Sequence, residues 1–291
     1  MSDLFPPFEP DAPEPPRRRF QAIPLRLLVP NVVTLLALCA GLTGIRMAFE
    51  GRMELALGAI VLAAVLDGMD GRLARMLQGT SRFGAELDSL SDFLCFGVAP
   101  ALIIYMWGLD SLGSLGWIAS LAFAICAGLR LARFNVMLED PNKPPFAGDY
   151  FTGIPAPAGA LIMLLPIYLE LIGLPRLVVT PAVAALFTLG IGLLMVSKLP
   201  AFSGKRLGAR IPRDKVMPLF IIVVLSVAVL VTWPWATLSV VCLAYLGALP
   251  FSAMRYARLM REHLSRHAPT PGMEGHRPAA SEDEDRPGHL N

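Results

Sequence analysis

Long apolar stretches separated by short polar ones dominate the chain. Eight of them stand out, at roughly 27–48, 54–76, 86–108, 113–134, 154–173, 177–197, 216–232 and 235–254. Each is close to the ~20 residues that a helix needs to cross the hydrocarbon core of a bilayer. The turns between them carry the usual punctuation: Gly173-Leu174-Pro175 parts the fifth from the sixth, and Trp233-Pro234-Trp235, with aromatics suited to a membrane interface, parts the seventh from the eighth. The pattern predicts an all-α integral membrane protein with about eight transmembrane helices, a membrane domain over 23–260, and polar, disordered tails over 1–22 and 261–291. The first tail is Pro-rich and lacks the order of regions of a secretory signal.

Composition agrees. Of 291 residues 55% are hydrophobic and 16% charged, with mean hydropathy +0.58, against a charged share of about 25% in soluble domains. The net charge of +2 is too small to indicate nucleic-acid binding. Basic residues gather in alternate connections: Arg17 to Arg19; Arg72, Arg75 and Arg82; Arg130, Arg133 and Lys143; Lys198 to Lys215; Arg255 to Arg261. The positive-inside rule then puts both termini in the cytoplasm, which an even number of spans requires. The expected location is the cytoplasmic (inner) membrane. Cys39, Cys95, Cys126 and Cys242 lack zinc-type spacing, and all four histidines lie in the last thirty residues. Acid–base chemistry in the membrane body must therefore use other groups.

Those groups are carboxylates. Asp67 and Asp70 are three apart, and with Gly71 and Ala74 they share a helix face; Gly84, Asp88 and Asp92 are spaced by four and line the next helix. A short connection makes the two helices antiparallel neighbours, so two pairs of carboxylates face each other near the cytoplasmic boundary. A carboxylate inside a span costs roughly 2.5–3.5 kcal/mol, and four of them need compensation. Arginines supply some, and divalent cations supply the rest. Oxygen-only ligands suit Mg²⁺ or Mn²⁺, and two such ions about 3.5–4 Å apart clamp an in-line displacement at phosphorus. Glu86, beside this set, reads as a solvated acid at the membrane surface. Gly71, Ala74 and Gly84 leave room for a ligand or for close helix packing.

The run from Asp67 to Asp92 reads D-x2-D-G-x2-A-R-x8-G-x3-D-x3-D. It resembles the signature of the CDP-alcohol phosphatidyltransferases, membrane enzymes in which a hydroxyl attacks a CDP-linked lipid or alcohol and CMP leaves. The resemblance implies that Asp67, Asp70 and Asp88 hold a metal pair and that Asp92 shares that site and acts as general base. It also implies that Gly71 and Ala74 border the cytidine, with Gly84 lining the same site, and that Arg75 contacts the diphosphate. Asn31 and Thr34, one turn apart after Pro30, are similar to an element of the family's nucleotide pocket.

Three further segments, Arg130 to Asn135, Phe151 to Pro157 and Pro200 to Lys205, resemble the bacterial, membrane-embedded branch of the family that uses L-serine. The expected partners are CDP-diacylglycerol, L-serine and membrane lipids, and the family resemblance suggests a homodimer. Arg130 or Arg133 can bind the serine carboxylate, or either can anchor the helix end; Arg133 can instead pair with Asp92. Lys205 suits lipid phosphates. Two alternatives stay open at this point. One is the same chemistry on glycerol 3-phosphate, an inositol phosphate or choline. The other is a cation-coupled transporter whose permeation site is the aspartate cluster.

Overall fold

The computed structural model describes residues 25–77, 79, 81–138, 150–175, 180–197, 200–202 and 216–267. The chain is helical throughout this range apart from one small ribbon. Helix α1 (Leu25–Phe49) ends at Gly51, whose φ of 72° lets the Arg52 N–H return to the Met47 carbonyl at 2.9 Å. This tight reversal lays α2 (Met53–Met76) antiparallel along α1. The start of α1, with Asn31 and Thr34, therefore stands beside the end of α2, with Asp67 and Asp70.

Helix α3 (Arg82–Phe93) begins at Ser81, whose hydroxyl accepts the Gly84 N–H at 3.0 Å. It runs through a π-helical turn, Leu94–Val98, directly into α4 (Ala99–Trp107). Small residues let α1 approach this region closely. A methyl group on Gly41 would lie 2.6 Å from Cys95 Sγ, and Cys95 Sγ donates to the Ala37 carbonyl at 3.4 Å. Helix α5 (Ser114–Leu138) packs on the other side. There Gly97 and Gly128 both face the ring of Phe93, and a methyl on either would come within 3.2 Å of it.

The fifth apolar stretch is two short helices, α6 (Ala156–Met163) and α7 (Leu165–Leu171). The break falls at Leu164, just before Pro166, which cannot donate to a helical ladder. Together they form the centre of the core, where Ala160, Met163, Leu164 and Tyr168 have no exposure and the Tyr168 ring stacks on Trp235 at 5.9 Å. Helix α8 (Pro181–Val196) lies along α5. Helix α9 (Val216–Thr232) has no buried residue, and α10 (Pro234–His267) returns past α7. The ribbon pairs β1 (Tyr150–Thr152) antiparallel with β2 (Pro200–Phe202), Phe151 opposite Ala201.

Among the described residues each of the eight apolar stretches falls on helix, but four helical segments are both long and apolar enough to cross a membrane: Leu28–Phe49, Arg82–Trp107, Ser114–Met137 and Pro234–Ser252. The others differ for visible reasons. Helix α2 carries the aspartates and arginines, the α6–α7 stretch is broken, and α8 and α9 have 16 and 17 residues. Leucines, valines and isoleucines cover the outer surfaces of α1, α5 and α9. So much contiguous apolar exposure suits lipid, not water. Helix α10 continues to His267, past position 260, where the sequence reading begins the tail; no proline or glycine follows Pro250 in the sequence until Pro269.

Candidate active site

Three aspartates converge where α2 meets α3. Carboxylate oxygens of Asp67, Asp70 and Asp88 all lie within 4.8 Å of one another. Asp92 and Arg130 line one cleft together with Asp67 and Asp88. Helix periodicity explains the set, since Asp67 and Asp70 sit about one turn apart on α2 and Asp88 and Asp92 one turn apart on α3.

The surroundings divide these carboxylates by role. Asp70 is buried, 4% exposed, and its Oδ2 accepts a 2.7 Å hydrogen bond from the Thr34 hydroxyl, which also reaches the Pro30 carbonyl at 3.2 Å. Asp88 Oδ1 and Asp92 Oδ1, by contrast, are buried without a hydrogen-bond partner. An orphaned buried carboxylate oxygen is costly, and two of them beside two more acids need positive charge. The site therefore fits divalent cations on three counts: donors that are all oxygen, close mutual approach, and unpaired buried lone pairs.

Two clefts meet at this cluster and share Asp88 and Ala85. The first, about 190 Å³, is lined by Asn31, Thr34, Gly71, Ala74, Arg75 and Gly84, with Ser81 and Gly79 at its rim. The second, about 330 Å³, is lined by Asp67, Asp92 and Arg130 and also by Glu86, Phe134 and Asn135. All six residues expected to face CDP-diacylglycerol thus line one cleft, and Asp92 with Arg130 lines the other.

Gly84 has a specific reason to be glycine. A methyl group there would sit 2.8 Å from Asn31 Oδ1 and 3.1 Å from Ser81 Oγ. Overpacking of this kind costs about 1–3 kcal/mol. Gly84→Ala should push α3 away from Asn31 and weaken roughly tenfold the binding of whatever ligand this cleft takes; for the CDP-linked lipid that the sequence resemblance implies, initial rates at varied lipid concentration would reveal it as a raised KM.

Arg133 is placed differently from Arg130. Its Nη1 donates to the Val196 carbonyl at 3.1 Å, where α8 ends, so it satisfies a terminal helix carbonyl. Arg130 is 8% exposed, and its guanidinium lies over the Phe134 ring, 5.4 Å from the centroid. Lys205 and the other basic residues of 203–215 lie outside the described residues.

Several participants carry no recognisable sequence signal. Ser81 is a helix cap, and the Ser91 hydroxyl reaches the Thr34 carbonyl at 3.4 Å. Asn135 Nδ2 donates to Ser89 Oγ at 2.9 Å. The π turn directly after Asp92 and Phe93 has no sequence mark either, though such turns often lie at functional sites.

Comparison with known proteins gives the family. The family profile for CDP-alcohol phosphatidyltransferases matches residues 27–196, and the profile for CDP-alcohol phosphatidyltransferase 2 matches residues 215–250. The chain belongs to the CDP-alcohol phosphatidyltransferase family. It is 37% identical over 236 residues, 81% of each chain, to the CDP-diacylglycerol–serine O-phosphatidyltransferase of Mycobacterium tuberculosis. It is 33% identical over 172 residues to the protein of that name in Bacillus subtilis, covering 59% of this chain and 88% of the relative. The same identity holds over 181 residues with the one in Methanocaldococcus jannaschii, covering 62% and 77%. Within this phosphatidyltransferase, Thr34 touches a carboxylate of the aspartate cluster as well as lining the first cleft. With Asp70 as a ligand of a divalent cation, which the cluster fits, Thr34→Val should lower cation affinity roughly 10–100-fold, as loss of a ligand's hydrogen-bond partner does elsewhere; calorimetric titration with Mn²⁺ would measure it.

Proposed function

We propose that this enzyme transfers the phosphatidyl group of CDP-diacylglycerol to the hydroxyl of L-serine, giving phosphatidylserine and CMP. The observation that carries the reading is the pair of clefts that meet at Asp88, one lined by the expected nucleotide-facing residues and one by Asp92 and Arg130. The choice of serine is supported by the names of the relatives, one of them 37% identical over four-fifths of the chain.

In this reading Asp67, Asp70, Asp88 and Asp92 hold two divalent cations, Mg²⁺ or Mn²⁺. When bound, these ions supply Lewis-acid polarisation of the diphosphate and neutralise charge on the departing CMP. Asn31, Thr34, Gly71, Ala74 and Gly84 shape the cleft that takes the nucleotide, and Arg75 faces the diphosphate. The acyl chains stay in lipid. Arg130 holds the serine carboxylate in the second cleft. Arg133 braces α8 behind it, and Lys205 is assigned the binding of lipid phosphate from its sequence position alone. Asp92 takes the proton of the serine hydroxyl while the serine Oγ–P bond forms and the P–O bond to CMP breaks. An aspartate is a weak base for an alcohol, so proton transfer accompanies attack and does not precede it.

In this reading the site lies at the cytoplasmic face of the inner membrane with both termini on that side, which the basic connections support. There the chain crosses eight times and, as the family resemblance implies, works as a homodimer. An acceptor screen tests the assignment. Purified enzyme in detergent–lipid micelles with CDP-diacylglycerol and Mg²⁺ or Mn²⁺ should convert labelled L-serine into a lipid with the mass of phosphatidylserine. A preference for glycerol 3-phosphate, inositol phosphate or choline would keep the chemistry and replace the acceptor.

A further inference from the structure

We infer that Glu86 recognises the ammonium group of the acceptor, so that the second cleft selects a zwitterionic amino alcohol over an acceptor that carries only negative charge; the inference rests on the serine assignment above. The polar groups of that cleft can be sorted by what already engages them. Asp67, Asp88 and Asp92 belong to the aspartate cluster. Ser89 and Asn135 engage each other, and the Ser89 hydroxyl also reaches the Ala85 carbonyl at 3.1 Å. Arg130 is buried over Phe134. Glu86 is the remaining carboxylate among the described lining residues, and it lies outside the cluster. It stands one turn before Ser89 on α3 and is exposed, whereas Arg130 is buried. One cleft is therefore lined by a buried guanidinium, an exposed carboxylate and Asp92.

Free serine presents three polar groups around one carbon, and this arrangement answers each. The carboxylate goes to Arg130, the hydroxyl to Asp92 and the ammonium to Glu86. A phosphorylated acceptor brings extra negative charge and no ammonium, and it would meet Glu86 as a like charge. Attraction for one ligand and repulsion of its competitor both come from a single side chain. The alternative is a surface acid near the start of α3 that merely complements the helix dipole.

Acceptors lacking one group separate these roles. The test compares wild-type enzyme, Glu86→Gln and Glu86→Asp in CMP release from CDP-diacylglycerol with Mg²⁺ or Mn²⁺, using L-serine or 3-hydroxypropanoate, which lacks the ammonium. Glu86 is exposed, so the amide keeps the fold. In Glu86→Gln the KM for L-serine should rise roughly tenfold or more, as loss of a charge-assisted contact implies, with a smaller change in kcat. With 3-hydroxypropanoate kcat/KM should stay within about twofold of wild type, and use of glycerol 3-phosphate should increase. Glu86→Asp should recover part of the serine affinity. An equal loss for both acceptors, or no change for either, would overturn the inference while leaving the serine reaction in place. A wild-type enzyme that releases no CMP with serine would overturn the acceptor assignment and this inference together.

Discussion

Asp88→Asn is expected to reduce serine-dependent CMP release by at least about 10³-fold, because in the proposed mechanism a metal clamp contributes several kcal/mol to the transition state. Asp88 lines both clefts, and its Oδ1 is buried without a hydrogen-bond partner. Its other relations are repulsive, since it stands beside Asp70 and Asp67. Asparagine keeps the shape of the side chain and removes its charge, so helix packing should survive while affinity for the cations falls. The measurement is CMP release alongside Mn²⁺ titration, with the thermal midpoint of the variant without added metal as the control for folding. Loss of a buried negative charge from a repulsive cluster should leave that midpoint unchanged or raise it. A variant with normal Mn²⁺ affinity and normal turnover would remove Asp88 from the reaction centre.

Asp92→Asn should produce a different pattern. General-base catalysis contributes about 10²–10⁴-fold, so turnover should fall by that factor. Asp92 differs from Asp88 in position: it faces Asp67 and Arg130 in the second cleft and does not line the first. In the proposed mechanism Asp92 is both the base and one of four carboxylates at the cation site, so Mn²⁺ affinity should fall far less than turnover and the KM for CDP-diacylglycerol should change little. Parallel loss of Mn²⁺ binding and turnover would make Asp92 chiefly a ligand. Full turnover in the variant would rule out both roles.

The aspartates were legible in the sequence because helical periodicity and the cost of buried charge act locally. Residues three or four apart must share a face, and four acids in apolar helices demand compensation. The helical architecture was legible for the same reason. The small ribbon was not, because β1 and β2 are three-residue strands some fifty positions apart. The contact between Thr34 and Asp70 spans 36 positions, and nothing local distinguishes a hydroxyl that faces a base from one that faces a carboxylate.

Arg130 and Arg133 pose a related problem. They stand three apart on α5, and the sequence offers both for the serine carboxylate and Arg133 also for Asp92, whereas Arg130 lines the cleft with Asp92 and Arg133 reaches the Val196 carbonyl. Their separation depends on the rotation of α5, which is fixed by Phe93 against Gly128 on one side and by Gly192 against Phe123 and Cys126 on the other. Glu86 was read as a solvated surface acid, and it is indeed exposed. That reading could not include the cleft, because the cleft exists only once α5 brings Arg130 opposite α3. The break at Leu164 shows the limit of hydropathy: a continuous apolar stretch is read as one span, although Pro166 divides it into two short helices.

The proposed reaction is tested most directly by CMP release from the purified protein in micelles containing CDP-diacylglycerol, with L-serine and the divalent cation each present or withheld. Release should occur only when both are present, with CMP and phosphatidylserine formed in equal amounts. Release that proceeds equally well without serine, or without any divalent cation after chelation, would rule the proposed reaction out.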